Sequence, residues 1–469
     1  MSPPNFKRMI FEDQWTTLSR MVCTNLLSIT RSRIMKRVEQ QMCGPKGLRK
    51  KSGHARFYNE GYQTFLLVHT HTHSLLKISI TMTTGVEQTV AIIVGAGPAG
   101  LSTAASLHKL SIPYILLERE DCIASLFNKK AFDRFHLHLP KRFCQLAHMP
   151  FPSNLPTFVP RAELLKYYDD YACCFEIKPK FGNLVKSAKY DEDRKIWKVE
   201  TKIVGDGDGG GFRCYEARYL VVATGENCEP FIPEVDGLNE FKGEVIHSTQ
   251  YKSGKKYENK NVLVVGAGNS GMEVAHDLSE YGAKTSIVVR SPIHIISKWS
   301  VTIGLLLLKK LSLNVVDSLL VWSSKLMYGD ITKYGMQRPK EGPFLIKVRT
   351  NKYPVIDMGV FENIKSGKIQ VLPALKSINS GGDEVVFENG KCYQFDTIIF
   401  ATGFKTSTHL WLQGNDCYFN KDGTSKAMFP NNWKGENGFY CAGLAGTGLI
   451  GAAMDAQKIA DDIFNLISK

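Results

Sequence analysis

The pattern of apolar and polar positions occurs twice along the chain in the same order. An apolar run ends in a glycine-rich turn, a helical pattern follows, and a second apolar run comes after the helix. The chain shows this order at residues 90–117 and again at residues 262–289. A strand that leads through glycines into a helix and back to a strand is typical of a dinucleotide-binding unit. The pattern therefore predicts an α/β fold with two Rossmann-like dinucleotide-binding domains.

The longest apolar stretch, Ile303–Leu308, is stopped by Lys309 and Lys310. It is far shorter than the ~20 residues that a helix needs to cross a bilayer, so we predict no transmembrane segment. Residues 1–30 also lack the basic start and apolar core of a secretory signal. We expect the protein to stay inside the cell.

The formal net charge of +14 is concentrated at the start of the chain. Residues 1–81 hold thirteen Lys and Arg but only four Asp and Glu, so the remaining chain is mildly basic. We therefore expect no nucleic-acid partner. Because the same residues lack sustained periodicity, we interpret residues 1–85 as a poorly structured extension.

The eleven cysteines are scattered without C-x-x-C spacing, so the sequence lacks the redox dithiol of a disulfide reductase. Unpaired thiols fit a reducing compartment. We expect a cytoplasmic protein, with association at the endoplasmic-reticulum surface as an alternative. The sequence predicts neither a metal site nor an oligomeric state.

The two glycine motifs carry a specific chemistry, since each has the spacing G-x-G-x-x-G. The first glycine permits a tight turn, the second lets a pyrophosphate approach the backbone, and the third lets the helix pack closely on the strand. The start of the helix then offers N–H groups to the phosphates. The glycines are Gly95, Gly97 and Gly100 in the first unit and Gly266, Gly268 and Gly271 in the second. For either motif alone, a structural glycine turn is the alternative.

The residues that end the second strand of each unit distinguish the two ligands. Glu118 ends the strand of the first unit, where a carboxylate accepts hydrogen bonds from ribose hydroxyls and repels a 2′-phosphate. At the matching place in the second unit stands Arg290, whose guanidinium favours a 2′-phosphate. The first site suits FAD or NAD and the second suits NADP, which together indicate a flavoprotein that takes hydride from NADPH. An exposed charge at the end of a strand is the alternative for each residue.

Two further strings resemble one another, at residues 219–225 and 397–403. Each is typical of a buried strand that ends in Ala-Thr-Gly, a small turn where the backbone can pass close to a cofactor. We add the ends of these strings to the predicted cofactor sites: Thr224, Gly225, Thr402 and Gly403. Two unrelated strand ends are the alternative.

A motif just before the second glycine turn connects the chain with a known family. Residues 241–251 match F-x-G-x-x-x-H-x-x-x-Y, the identifier of flavin-containing monooxygenases. Within that family the chain resembles the plant YUCCA flavin monooxygenases over about residues 88–469. The resembling segments include residues 121–126, 137–141, 223–227, 268–273, 338–340 and 440–444. At residues 445–448 the chain has Ala-Gly-Thr-Gly, where the family usually has a more basic sequence.

The resemblance implies a FAD domain in two parts, residues 86–245 and 375–469, with an NADPH domain at residues 246–374 inserted between them. It implies that the chain uses FAD, NADPH and O2. It also implies that a C4a-peroxyflavin oxidatively decarboxylates indole-3-pyruvate, an aromatic 2-keto acid, to indole-3-acetate in auxin synthesis.

His138 and Asn269 are our candidates for catalytic polar groups near the flavin and the nicotinamide. His138 stands where related monooxygenases carry an Asn that points to the flavin edge, and a His there can also donate a hydrogen bond. A core His satisfied by the backbone is an alternative of equal weight.

Two other functions remain open. The first is an N- or S-oxygenase of the same family, which the identifier motif does not separate from the decarboxylase. The second is a nucleotide-binding partner protein without turnover, although the intact glycine motifs, Glu118 and Arg290 argue against it.

Overall fold

The structure is a computed structural model. It describes the chain over these residues: 82–83, 85–204, 211–414, 418–420 and 432–469. The extension predicted for residues 1–85 therefore lies, up to residue 81, outside the described residues.

Seven strands form the first sheet: β1 (Met82–Thr83), β2 (Val86–Val94), β3 (Tyr114–Leu117), β4 (Asn183–Asp191), β5 (Ile196–Ile203), β6 (Phe212–Val222) and β19 (Phe439–Cys441). Strands β3, β2, β6 and β19 lie parallel in that order, and β6 continues into an antiparallel β6–β5–β4 meander. Strand β19 comes from near the end of the chain, whereas the other six come before residue 223. The first sheet is therefore built from two distant parts of the chain.

Five strands form the second sheet: β8 (Glu244–His247), β9 (Asn261–Val265), β10 (Lys284–Val288), β13 (Ile369–Leu372) and β17 (Thr397–Phe400). All five are parallel, in the order β13-β10-β9-β17-β8. Since they all lie between β6 and β19 along the chain, the second sheet is an insertion in the first. This confirms the predicted α/β class with two Rossmann-like units, one inserted in the other.

Three small sheets complete the strand framework. They are β14 (Leu375–Ile378), β15 (Glu384–Phe387) and β16 (Cys392–Gln394); β11 (Ile295–Ser297) with β12 (Val355–Asp357); and β7 (Glu229–Pro230) with β18 (Phe404–Lys405). Strands β7 and β18 are the two passages of the chain between the large sheets, and they pair antiparallel. The two crossings therefore lie side by side.

Eight α-helices are described: α1 (Pro98–Lys109), α2 (Arg161–Cys174), α3 (Asn269–Glu280), α4 (Lys298–Leu307), α5 (Leu313–Tyr328), α6 (Pro343–Thr350), α7 (Val360–Lys365) and α8 (Gly448–Ile467). Helices α1 and α8 pack against each other over the first sheet, and their buried side chains share one core with α2. Helices α3 and α7 cover the second sheet. Within the described part of the chain, none of the helices combines the length and the apolar character that crossing a membrane requires.

Candidate active site

The first glycine turn connects β2 to α1. Gly95 has a φ of +106°, and a Cβ at this position would lie 2.6 Å from the carbonyl oxygen of Ala223. A Cβ on Gly100 would lie 1.8 Å from the carbonyl oxygen of Gly95. A Cβ on Gly97, in contrast, would have no atom within 4 Å. The fold thus requires glycine at positions 95 and 100, whereas Gly97 faces open space at the start of α1.

The second glycine turn, between β9 and α3, repeats this arrangement. Gly266 has a φ of +115°, and its Cβ would lie 2.5 Å from the carbonyl oxygen of Ala401. A Cβ on Gly271 would lie 1.9 Å from Gly266, and one on Gly268 would have no atom within 4 Å. Both turns therefore leave a cradle, next to the N–H groups of a helix start, that suits a diphosphate.

The strand register identifies which residues of the two units correspond. Leu117 pairs with Val94, the residue before the first turn, and Val288 pairs with Val265, the residue before the second. The residues next along the chain, Glu118 and Val289, are therefore equivalent. Arg290, which we predicted to match Glu118, lies one residue further and corresponds to Arg119.

The side chain of Glu118 lies against the first glycine turn. Its carboxylate is buried and accepts hydrogen bonds from the N–H of Ala96 at 2.6 Å and from the N–H of Glu120 at 3.0 Å. Burial raises the pKa of Glu118, although these two N–H groups act in the opposite direction. A carboxylate that touches the glycine turn is positioned to accept hydrogen bonds from a ribose.

The second turn has no carboxylate at this position, because the equivalent residue is Val289. Arg290 is exposed, and it makes no hydrogen bond or ion pair with any residue that the structure describes. Its counterpart Arg119 pairs with Glu229 and donates to the carbonyl oxygen of Cys228 at 3.2 Å. The two units thus differ in the charge at the strand end and in the freedom of the following arginine.

The two Ala-Thr-Gly strings each lie against one glycine turn, since Ala223 contacts Gly95 and Ala401 contacts Gly266. The Thr224 hydroxyl lies 3.4 Å from that of Thr408, and the Thr402 hydroxyl donates to the carbonyl oxygen of Phe231. Gly225 and Gly403 both have positive φ, +80° and +89°. These turns flank the two cradles, and a direct role in cofactor binding stays a prediction.

The family motif at residues 241–251 connects three parts of the second unit. His247 is buried, and its Nε2 lies 3.1 Å from the carbonyl oxygen of Gly403. The hydroxyl of Tyr251 donates to Asp277 of α3 at 2.6 Å. Burial lowers the pKa of His247, which favours the neutral ring. In this structure the motif holds the second cradle together.

Both predicted catalytic side chains have protein partners. His138 contacts the carboxylate of Glu273 through Nε2. Burial lowers the pKa of His138, but the Glu273 carboxylate outweighs it, so the pKa is raised. Asn269 accepts from the N–H of Ile356 at 2.7 Å and donates to the carbonyl oxygen of Pro354 at 3.2 Å. Asn269 and Glu273 are four residues apart on α3, a spacing that puts both on one helix face.

A cluster that we did not predict surrounds the backbone of Gly446, in the loop between β19 and α8. Glu226 accepts from its N–H, whereas Lys347 and Tyr353 donate to its carbonyl oxygen. Lys347 also donates to Asn351 and lies 4.0 Å from the ring centroid of Tyr353. We call these five residues the Gly446 cluster. Burial lowers the pKa of Lys347 to about 8, with Glu226 opposing the shift, and burial raises the pKa of Glu226.

The Gly446 cluster lies beside the first cradle. A Cβ on Gly443, three residues before Gly446, would be 3.0 Å from the Cβ of Ala99 in the first turn of α1. Glu226 follows the Ala-Thr-Gly string that contacts Gly95. Residues 445–448, noted in the sequence for their lack of basic side chains, thus receive a cation from α6.

The chain resembles known proteins in sequence and in fold. Residues 92–311 match the family described as pyridine nucleotide-disulphide oxidoreductase. Probable indole-3-pyruvate monooxygenase YUCCA10 of Arabidopsis thaliana is 46% identical over 384 residues, which cover 81% of this chain and 98% of the relative. Indole-3-pyruvate monooxygenase YUCCA6 of the same plant is 44% identical over 379 residues, 79% of this chain and 89% of the relative.

Among solved structures, the flavin-containing monooxygenase of Stenotrophomonas maltophilia aligns with a TM-score of 0.60 at 18% identity, covering 81% of this chain and 99% of that one. This likeness shows a shared fold. Fold and twin cradles define an oxidoreductase with a flavin unit and a pyridine-nucleotide unit. The identity to the plant relatives then shows that the chain belongs to the YUCCA-type flavin-containing monooxygenases.

Proposed function

We propose that the chain is a FAD-dependent monooxygenase that uses O2 and NADPH to convert indole-3-pyruvate into indole-3-acetate and CO2, with release of water and NADP+. The observation that carries the cofactor assignment is the pair of open glycine turns, one walled by a buried carboxylate and one followed by an exposed arginine. The substrate comes from the relatives, which are named for indole-3-pyruvate.

FAD fits the first cradle, where Gly95, Gly97, Gly100 and Glu118 would hold it next to Thr224 and Gly225. NADPH fits the second, where Gly266, Gly268, Gly271 and Arg290 would hold it next to Thr402 and Gly403. When bound, the nicotinamide supplies a hydride and the flavin supplies the chemistry that activates O2. The protein's contribution is to bind, orient and keep water out.

His138 and Asn269 have different roles in this proposal. The raised pKa of His138 favours the protonated ring, and Glu273 occupies its Nε2. Only Nδ1 is then left to donate to a cofactor or substrate oxygen. Asn269 holds the start of α3 against the backbone of β12, and so it fixes the second cradle.

Lys347 is our candidate for the cation that receives the substrate carboxylate. It is a half-buried lysine beside the first cradle, and with a pKa of about 8 it is mostly charged at neutral pH. Burial raises the pKa of Glu226, which weakens the competition of that carboxyl group for the lysine. Loss of a charged hydrogen bond of about 1.5–3 kcal/mol should raise the KM for indole-3-pyruvate about tenfold or more in Lys347→Met. Lys347→Arg should recover part of this loss, and the KM for NADPH should not change.

The decisive experiment is turnover under labelled O2 with purified protein, FAD and NADPH. Indole-3-pyruvate, an amine and a thioether are offered separately. Label in the carboxyl group of indole-3-acetate supports the proposal, because the new oxygen must come from O2. Label only in an N- or S-oxide moves the assignment to the oxygenase alternative. Absence of any NADPH consumption would favour the partner protein without turnover.

We further propose a cytoplasmic location and a domain division close to the predicted one. Strand β17 hydrogen-bonds to β8 and β9 of the second sheet, although residues 375–469 were assigned to the FAD domain. This strand pairing supports a boundary after Phe400, where the chain would leave the NADPH domain and re-enter the FAD domain. Limited proteolysis at the β7 and β18 crossings would test this division.

A further inference from the structure

Helices α4 and α5 expose an unusual number of large apolar side chains. On α5 these are Val315, Leu319, Trp322 and Leu326, and their spacing of four, three and four residues puts them on one face. Trp322 is 65% exposed and Leu326 is 72% exposed. The opposite face of α5, with Val316 and Leu320, is buried. Helix α5 therefore has two apolar faces, and among the residues that the structure describes only one of these faces is covered.

The neighbouring helix adds to this surface. On α4, Trp299 and Ile303 are exposed and lie one helical turn apart. A Cβ on Gly304 would lie 3.1 Å from Leu320, which shows how closely α4 and α5 pack. We call the exposed face of residues 298–328 the hairpin surface. An apolar surface of this kind on a monomer usually marks an interaction site.

The charges of the hairpin surface indicate its partner. Residues 298–328, all of which the structure describes, hold four lysines and a single acidic residue, Asp317. Asp317 is buried, and its carboxylate accepts the N–H groups of Phe344 and Leu345, both at 2.9 Å. The surface thus combines Lys298, Lys309, Lys310 and Lys325 with apolar and tryptophan side chains and exposes no carboxylate.

We propose that the hairpin surface binds the headgroup region of an anionic lipid bilayer. Basic and aromatic side chains around an apolar helix face are the features that hold a helix in the plane of a membrane. A second copy of this chain fits less well, because a twofold interface would bring lysines against lysines with no carboxylate between them. No part of this proposal depends on the cofactors or on the reaction.

Vesicle sedimentation of the full chain with FAD tests the proposal. The probes are phosphatidylcholine vesicles and vesicles with about 30% phosphatidylserine added. Residues 1–81 are basic and can attract anionic vesicles on their own, so the comparison between variants decides. The double variant Trp322→Glu/Leu326→Glu should lose about tenfold or more of its partition into the anionic vesicles.

The matched control is Phe212→Glu/Tyr281→Glu, which makes the same change of charge at two exposed aromatic positions outside the hairpin surface. It should bind as the wild type does. Lys310→Glu/Lys325→Glu should weaken binding to the anionic vesicles at low salt, and about 0.5 M salt should reduce the difference through screening. An unchanged circular dichroism spectrum checks that each variant is folded.

Tryptophan fluorescence gives a second measurement. Binding should shift the emission to the blue as Trp322 leaves water, and Trp322→Phe should reduce that shift. Equal sedimentation of the wild type and Trp322→Glu/Leu326→Glu would overturn the proposal. A wild-type dimer that becomes a monomer in that variant, without vesicle binding by either, would assign the surface to a second copy.

Discussion

The two glycine turns have nearly the same backbone conformation, but the side chains that lie next to them differ. Gly97 and Gly268 open their helices at almost equal angles, with φ of −75° and −78° and ψ of −178° in both. Beyond the turns the likeness ends, since buried Glu118 of the first unit is replaced by Val289 in the second. We infer from this difference that the shared backbone would bind a diphosphate in both units and that the side chains at the strand ends would select the nucleotide.

The arginines that follow these strand-end residues, Arg119 and Arg290, also differ between the two units. Arg119 is bound to Glu229 and to the backbone of Cys228, so its charge is used within the protein. Arg290 is exposed and faces no such carboxylate among the described residues. One arginine position thus serves the fold in the first unit and is available to a ligand in the second.

The largest effect should come from blocking either cradle. A Cβ at Gly97 or at Gly268 meets no atom within 4 Å, and both residues have negative φ, so a leucine at either position should leave the fold intact. Gly97→Leu should purify without flavin, because the side chain occupies the place of the pyrophosphate. Gly268→Leu should stay yellow and be reduced by dithionite, but not by NADPH. The measurements are the flavin absorption spectrum and anaerobic stopped-flow reduction.

Thermal unfolding provides the control for these two variants. A Tm close to that of the wild-type protein without cofactor would show that the turn itself is intact. If Gly97→Leu keeps its full flavin content, the first cradle does not bind the pyrophosphate of FAD.

Much of this comparison was predictable from the sequence, because its signals are local. Glycine spacing and apolar runs lie within about thirty residues, and they predicted both turns and the α/β class. The insertion of one domain in the other was implied by the family resemblance. The one-residue offset of Arg290 can also be read from the sequence, because Glu118 lies 18 residues after Gly100 and Arg290 lies 19 residues after Gly271. The strand register, which pairs Val288 with Val265, confirms that offset.

The Gly446 cluster could not be predicted from local patterns. Lys347 and Gly446 are 99 residues apart along the chain and Glu226 and Gly446 are 220 apart, so tertiary packing alone brings them together. The pairing of His138 with Glu273 has the same origin, because it joins two units that are separate in sequence. The sequence did indicate that residues 445–448 were unusual, but it did not indicate which side chain supplies the missing charge.

A smaller effect is expected from Arg290→Ala. Loss of a guanidinium–phosphate pair should reduce the affinity for NADPH by about 1.5–3 kcal/mol, tenfold or more, with little change for NADH. Arg119→Ala is the matched control, because this arginine is engaged with Glu229 and should leave the NADPH to NADH ratio unchanged. The ratio of kcat/KM values for the two nucleotides is the measurement. An unchanged ratio in Arg290→Ala would mean that another residue recognises the 2′-phosphate.

The comparison can also be sharpened by giving the second unit the carboxylate of the first. Val289→Glu places an acid at the position equivalent to Glu118. Val289 is buried, so water screens an acid at this position only weakly. Its repulsion with a 2′-phosphate, about 1 kcal/mol or more, should lower the preference for NADPH about fivefold or more. Val289→Gln, which has the same shape and no charge, should leave the preference near that of the wild type. Equal effects of Glu and Gln would indicate a steric cause.

The smallest effect concerns the buried charge beside the first unit. The pKa of Lys347 is lowered to about 8 in the folded protein from 10.5, so the unfolded chain binds more protons between these pH values. Stability should therefore rise with pH across this range, by about 1 kcal/mol between pH 8 and pH 9, or one to two degrees in Tm. Lys347→Met has no lysine to deprotonate and should lack this rise. Other groups titrate equally in both proteins, so the difference between the two Tm curves isolates Lys347, and parallel curves from pH 8 to pH 10 would show that burial does not disfavour its charge.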